Sequence, residues 1–155
     1  MKKFLVIIFL GILFSGNAYA QLNGVKELYL EIRHSQQKPS CNNEQNYNSD
    51  IEINTKYILS NSKVIISKTM NSEFLKINVL TKEIGITCAS SIKLSTYSVG
   101  YIKNFSGHRF VGERVSYFNE KIVISKKKPE HKDDVLSVID LMVKKFVVDL
   151  NEIDN

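Results

Sequence analysis

Residues 129–153 read PEHKDDVLSVIDLMVKKFVVDLNEI. Pro129 suits a first helical position, where a missing N–H costs nothing. Glu130, Asp133 and Asp134 fall near the positive end of the resulting helix dipole, and Lys144 and Lys145 lie toward its negative end. Val135, Val138, Ile139, Met142, Val143, Phe146 and Leu150 recur at helical spacing and form one wide apolar stripe. Ser137, Asp140, Lys144 and Asn151 gather opposite, while Leu141, Val147 and Val148 widen the stripe. A membrane-surface helix carries more Lys and Arg along its polar face. This one has acids at both ends, so the stripe is expected to cover a sheet.

Upstream the apolar period shortens to two. Val25–His34 sets Leu28, Leu30 and Ile32 against Tyr29, Glu31 and Arg33, the pattern of a half-buried strand. Gln36–Asp50 is polar and holds Pro39 and Cys41, so it reads as a long loop. Ile51–Leu59 places Ile51, Ile53, Tyr57 and Leu59 on one side and reads as another strand, closed by the Ser60-Asn61-Ser62 turn cluster. Val64-Ile65-Ile66 suits a strand covered on both faces, and Leu75, Ile77 and Val79 share one side of Glu73–Leu80. After a break at Thr81–Gly85, Ser91–Tyr101 alternates through Ile92 and Leu94, and Gly100–Gly107 reads as a loop. His108–Phe118 is a strand whose Gly112 marks a bulge or close approach. Asn119-Glu120 would turn it into Lys121–Ser125. Short connections favour antiparallel neighbours. The expected fold is therefore α+β: an antiparallel sheet of six or seven strands with one C-terminal helix packed on a face. A barrel or sandwich plugged by that helix is the alternative.

The N-terminus has the three parts of an export signal in order: basic Lys2 and Lys3, the apolar run Phe4–Phe14, and the small-x-small site Ala18-Tyr19-Ala20. Residues 1–20 are expected to be cleaved before Gln21, leaving residues 21–155 as a single mature domain in the periplasm or outside the cell. The run is too short for a permanent membrane anchor, and Gln21 in place of Cys argues against a lipid-modified end. Loss of Lys2 and Lys3 takes the formal charge of +5 to +3. That is too mild to argue for nucleic acid.

Cys41 and Cys88 are the two cysteines. In an oxidising compartment they are expected to pair. The bond would close a loop of about 48 residues and stabilise the fold by roughly 4 kcal/mol on the chain-entropy account.

No sequence motif carries catalysis. His34, His108 and His131 lack the spacing of a metal pair, no Gly-x-Ser-x-Gly elbow occurs, and no cofactor signature is present. Glu31, Glu52 and Glu113 could meet as a carboxylate pair only if the fold brought them together. Aromatic and Arg residues cluster at Tyr97, Tyr101, Phe105, His108 and Arg109, the side-chain types that anchor interfaces. The function expected is non-enzymatic: an exported cell-envelope protein that binds another protein, as a periplasmic inhibitor or immunity-type protein does. An accessory or chaperone in assembly of a surface structure, and an envelope enzyme with an unrecognised site, are the alternatives.

Overall fold

A computed structural model describes residues 27–37, 41, 47–69, 73–103, 106–126 and 130–153. The elements run β1 (Glu27–Gln37), α1 (Asn48–Ser60), β2 (Ile65–Ser67), β3 (Glu73–Ile84), β4 (Thr87–Lys103), β5 (Arg109–Ser125) and α2 (His131–Ile153). The five strands form one sheet in the order β2-β1-β3-β4-β5. The proposed leader, its cleavage site and Pro129 lie outside the described residues.

The C-terminal stripe is used as its spacing requires. Val135, Ile139, Met142, Val143, Phe146 and Leu150 are all buried, against Ile77, Val79, Ile92 and Leu94 of the sheet. Each such side chain contributes roughly 1.5–3 kcal/mol on leaving water. Leu141 and Val148, which broadened the stripe, stay exposed. Among the described residues no helix is long and apolar enough to cross a membrane.

Several expectations are corrected. Ile51–Leu59 belongs to α1, not to a strand. Its buried residues are Ile51, Thr55 and Leu59, a strict four-residue repeat, and Ile53 and Tyr57 face solvent. The i,i+4 pair Glu52–Lys56 lies on its exposed flank. The polar stretch before it is correspondingly shorter, because β1 runs to Gln37 and α1 begins at Asn48.

The sheet is mixed rather than antiparallel. β1 pairs in parallel with β2 through Glu27–Tyr29 and with β3 through Tyr29–Gln37. α1 supplies the crossover that a parallel β1–β2 pair needs. The short link 68–72 then joins β2 to β3 on the other side of β1, with both strands running the same way.

The strand count is five rather than six or seven. The proposed Asn119-Glu120 turn is continuous strand: Asn119 pairs with Leu94, and Glu120 pairs with Lys93 and forms an ion pair with it at 3.5 Å. β3 likewise runs through Thr81 to Ile84 and turns at Gly85, whose φ of 63° favours glycine. The bulge is not at Gly112, which pairs with Gly100, but opposite Thr96 and Tyr97.

Candidate functional site

Two features of the sheet carry polar or exposed groups that packing alone does not account for. The first lies on the helix-covered face, where β1, β3, β4, β5 and the first turn of α2 meet. His34 Nε2 is 3.2 Å from Thr81 Oγ1, Thr81 Oγ1 is 2.7 Å from Ser90 Oγ, and Ser90 Oγ is 2.8 Å from His131 Nε2. His131 Nδ1 is 2.7 Å from Ser125 Oγ, whose hydroxyl donates to Asp134. The strand alternation that buries Ile77 and Val79 also points Thr81 inward, and Ser90 and Ser125 follow in the same way from Ile92 and Val123.

Donor counting fixes the direction of every bond. A carboxylate only accepts, so Ser125 must give its proton to Asp134 and accept from His131 Nδ1–H. In neutral His131, Nε2 then accepts from Ser90, Ser90 accepts from Thr81, and Thr81 accepts from His34 Nε2–H. Burial, and secondarily the neighbouring His131, hold His34 below the ordinary histidine range. Burial also lowers His131, against an opposing pull from Asp134. The ring of Tyr47 stacks on His34 at 4.4 Å between centroids, and Lys132 reaches Asp50 at 2.5 Å while lying 5.7 Å from the Tyr47 ring centre. This chain ties the start of α2 to the sheet and to α1.

Ser90, His131, Ser125 and Asp134 follow one another as nucleophile, base and orienting groups would. Ser90 and His131 are nevertheless both 0% exposed. The arrangement as it stands admits no substrate, and its geometry is that of a satisfied buried network. Sequence reasoning missed it because Thr81 was read as the start of a break, Ser90 fell before the strand taken to begin at Ser91, and Ser125 was read as the last residue of an ordinary strand. The available signal was a histidine in the first turn of an otherwise buried helix.

The second feature is the opposite face of the sheet, which no described helix covers. Leu80 and Ile84 on β3, Tyr101 on β4, and Val111, Val115, Phe118, Ile122 and Ile124 on β5 are exposed there, between 47% and 79%. The bulge is what aligns the β5 row. Ser116 is inserted opposite Thr96, its hydroxyl 2.9 Å from Thr96 Oγ1, and Tyr117 turns inward to donate to Asp149 at 3.2 Å. Val115 and Phe118, an odd number of residues apart, therefore share the open face.

At the β1 end the same face is ordered by an aromatic and ionic cluster. Phe74 stacks on Tyr97 at 5.0 Å, and Tyr29 meets Phe74 edge-on at 5.9 Å. Tyr97 donates to Glu31 at 3.0 Å, and Arg33 and Lys76 lie 2.5 Å and 3.4 Å from the same carboxylate. Burial and the Glu31 charge push the Tyr97 hydroxyl up to about 12, so it remains a donor. The Glu31 carboxyl, resisted by burial, is held below its ordinary value by Tyr97, Lys76 and Arg33.

The sequence-selected binding residues divide between these settings. Tyr97 is buried in the aromatic stack. Tyr101 is 79% exposed on the open face, and His108 and Arg109 are exposed where the β4–β5 hairpin returns. Phe105 lies outside the described residues. Glu31 and Glu52 are each ion-paired with cations, and neither meets the other. Among the described residues no three His, Cys, Asp or Glu side chains gather as metal ligands. Cys41 and Cys88 form a disulfide with a Cα–Cα distance of 5.7 Å, which anchors residue 41 beside β4.

No family model and no curated protein matches the chain. Among solved structures it is similar to a minor lipoprotein from Acinetobacter baumannii, at 14% identity and a TM-score of 0.38, over 81% of this chain and 90% of that one. A likeness that loose carries no argument about function.

Proposed function

We propose that this is an exported cell-envelope protein without catalytic activity. It would bind another protein through the open face of its sheet, in the manner of a periplasmic inhibitor or immunity protein. The observation that carries the reading is the aligned apolar row Val111, Val115, Phe118, Ile122 and Ile124, exposed on a long strand. Exposed apolar side chains gathered on one face in this way support an interaction site. Glu113, Glu120 and Lys93 stand among these residues, so the fitting partner is a folded protein with an apolar patch rimmed by charges of both signs. The export-type pattern of residues 2–20, read from the sequence, and the disulfide support an envelope location.

Affinity capture from envelope extract tests it. Wild-type protein is expected to retain one stoichiometric partner, and the Phe118→Asp, Ile122→Asp double variant to lose it. A strain lacking the gene is expected to lose tolerance to the enzyme or toxin so captured. Equal capture by the double variant would overturn the reading. A second reading, an accessory that lends a sheet edge to a surface structure, is favoured by the 17-residue outer strand β5. A neighbouring toxin gene supports the first reading, and a secretion or fibre operon the second.

A further inference from the structure

The buried chain His34–Thr81–Ser90–His131 has two ends in different surroundings. His34 is half-buried, and its Nδ1 has no hydrogen-bond partner among the described residues. His131 is fully buried, and its Nδ1 is tied through Ser125 to the Asp134 carboxylate. Between the rings stand the hydroxyls of Thr81 and Ser90, both 0% exposed and 2.7 Å apart. A hydroxyl donates and accepts, so such a pair can be directed either way. Among the described residues few titratable groups face this chain. The start of α1 brings Tyr47, whose hydroxyl is pushed up by burial to about 12, and Asp50, which is paired with Lys132 of α2. α2 adds Asp133 and Asp134 after the exposed Glu130, and β3 adds Glu83, two residues beyond Thr81 on the same face. β4 and β5 present the hydroxyls of Ser90 and Ser125. Of these groups Asp134 acts on His131, and His131 acts on His34.

We infer that His34 and His131 form a single buried proton site, in which a proton taken up at His34 Nδ1 is delivered to His131 as the hydroxyls between them reverse. In the neutral chain His34 Nε2–H donates to Thr81, Thr81 to Ser90, and Ser90 to His131 Nε2. Once Nδ1 of His34 binds a proton, the Nε2 proton passes to Thr81 Oγ1, the Thr81 proton to Ser90 Oγ, and the Ser90 proton to His131 Nε2. Each hydroxyl loses one hydrogen and gains another, so every hydrogen bond survives with its direction reversed. His34 ends neutral with its hydrogen on Nδ1. The charge ends on His131, where Ser125 links it to the Asp134 carboxylate. A second proton has no such place. With both rings charged, both Nε2–H groups point inward, and one hydroxyl hydrogen of the Thr81–Ser90 pair has no acceptor left in the chain. The two like charges also oppose one another. The first proton is therefore housed with α2 docked, and the second opens the joint between the first turn of α2 and the sheet. The pair is a two-step pH sensor built into that joint.

The test is a pH titration, by NMR, of the disulfide-bonded protein labelled with 15N in its histidine rings. The ring nitrogens report tautomer and charge separately, and His108 serves as an exposed control. As pH falls, His131 is expected to become an imidazolium in the same step in which His34 moves its hydrogen from Nε2 to Nδ1 and stays neutral. Backbone signals of Lys132–Asp134 are expected to shift sharply in a later step, when His34 is charged as well. Thr81→Ser keeps the hydroxyl and is expected to keep the linked step. Thr81→Val removes it, and His34 is then expected to hold one tautomer while His131 titrates alone. A His34 that keeps its hydrogen on Nε2 throughout, a His34 that charges before His131, or two rings that charge together with the α2 signals unmoved would overturn the proposal. So would an unchanged linked step in Thr81→Val. Should that variant fail to fold, the tautomer of His34 in the wild type and in Thr81→Ser decides the matter, since a purely structural hydrogen bond would leave it fixed.

Discussion

At the scale of single residues, the buried histidines make the strongest demand on conditions. His34 and His131 sit in a chain whose bonds all run one way, and both are held below the ordinary histidine value. An unfolded histidine titrates near about 6.5. Above that pH neither state takes up the protons. As pH falls below it, the unfolded chain binds protons that the folded chain refuses, so stability drops until the lowered folded values are passed. Urea unfolding is therefore expected to show less stability at pH 5.5 than at 7.5, and His34→Gln to show a smaller difference between the two. A wild type equally stable at both would contradict the neutral, directed chain. His131 also illustrates what a sequence conceals: its position in the first turn of the helix was legible, but its partners lie 41 and six residues away. Nothing local marks Ser90 or Ser125 as inward-facing polar groups.

At the scale of elements, α2 was legible because 23 residues offer many turns of consistent spacing. α1 was not, because Ile51, Ile53, Tyr57 and Leu59 alternate as well as any strand, while only Ile51 and Leu59 among them are buried. Thr55 at 0% exposure completes the helical repeat, and a threonine gives no hydropathy signal. β5 was divided because Asn119-Glu120 looks like a turn, whereas cross-strand pairing with Leu94 and Lys93 holds it extended. The pattern change at Ser116 is a bulge, which breaks the two-residue period and hides a continuous strand. The dependence on α2 is testable: Phe146, fully buried against Tyr117 at 5.1 Å between rings, is expected to cost about 3–5 kcal/mol when replaced by alanine. Reduction of Cys41–Cys88 is expected to cost roughly 4 kcal/mol, on the loop-closure argument. Calorimetry with and without reductant checks it, and an unchanged melting temperature would show that the crosslink contributes nothing.

At the scale of the whole molecule, both described helices fall on one side of the sheet, and no described element covers the other side. The α+β class and the roofing helix were readable from the change of period along the chain. The mixed strand order was not, since it follows from α1 as a crossover. The open face could not be read either, because alternation shows that a strand has two faces and not which of them is covered. Tyr101, His108 and Arg109 were selected for their chemistry and lie on or beside that face, while Tyr97 is spent on holding Glu31.

The central claim, that the uncovered face of the sheet is where a protein partner binds, is tested most directly by calorimetric titration of the captured partner. Phe118→Asp with Ile122→Asp is compared with Leu141→Asp, an equally exposed apolar position on α2. The account predicts a loss of about a hundredfold for the sheet variant, the scale of a buried hot spot, and near wild-type affinity for the helix variant. The reverse order would place the interface on the roof rather than beneath it.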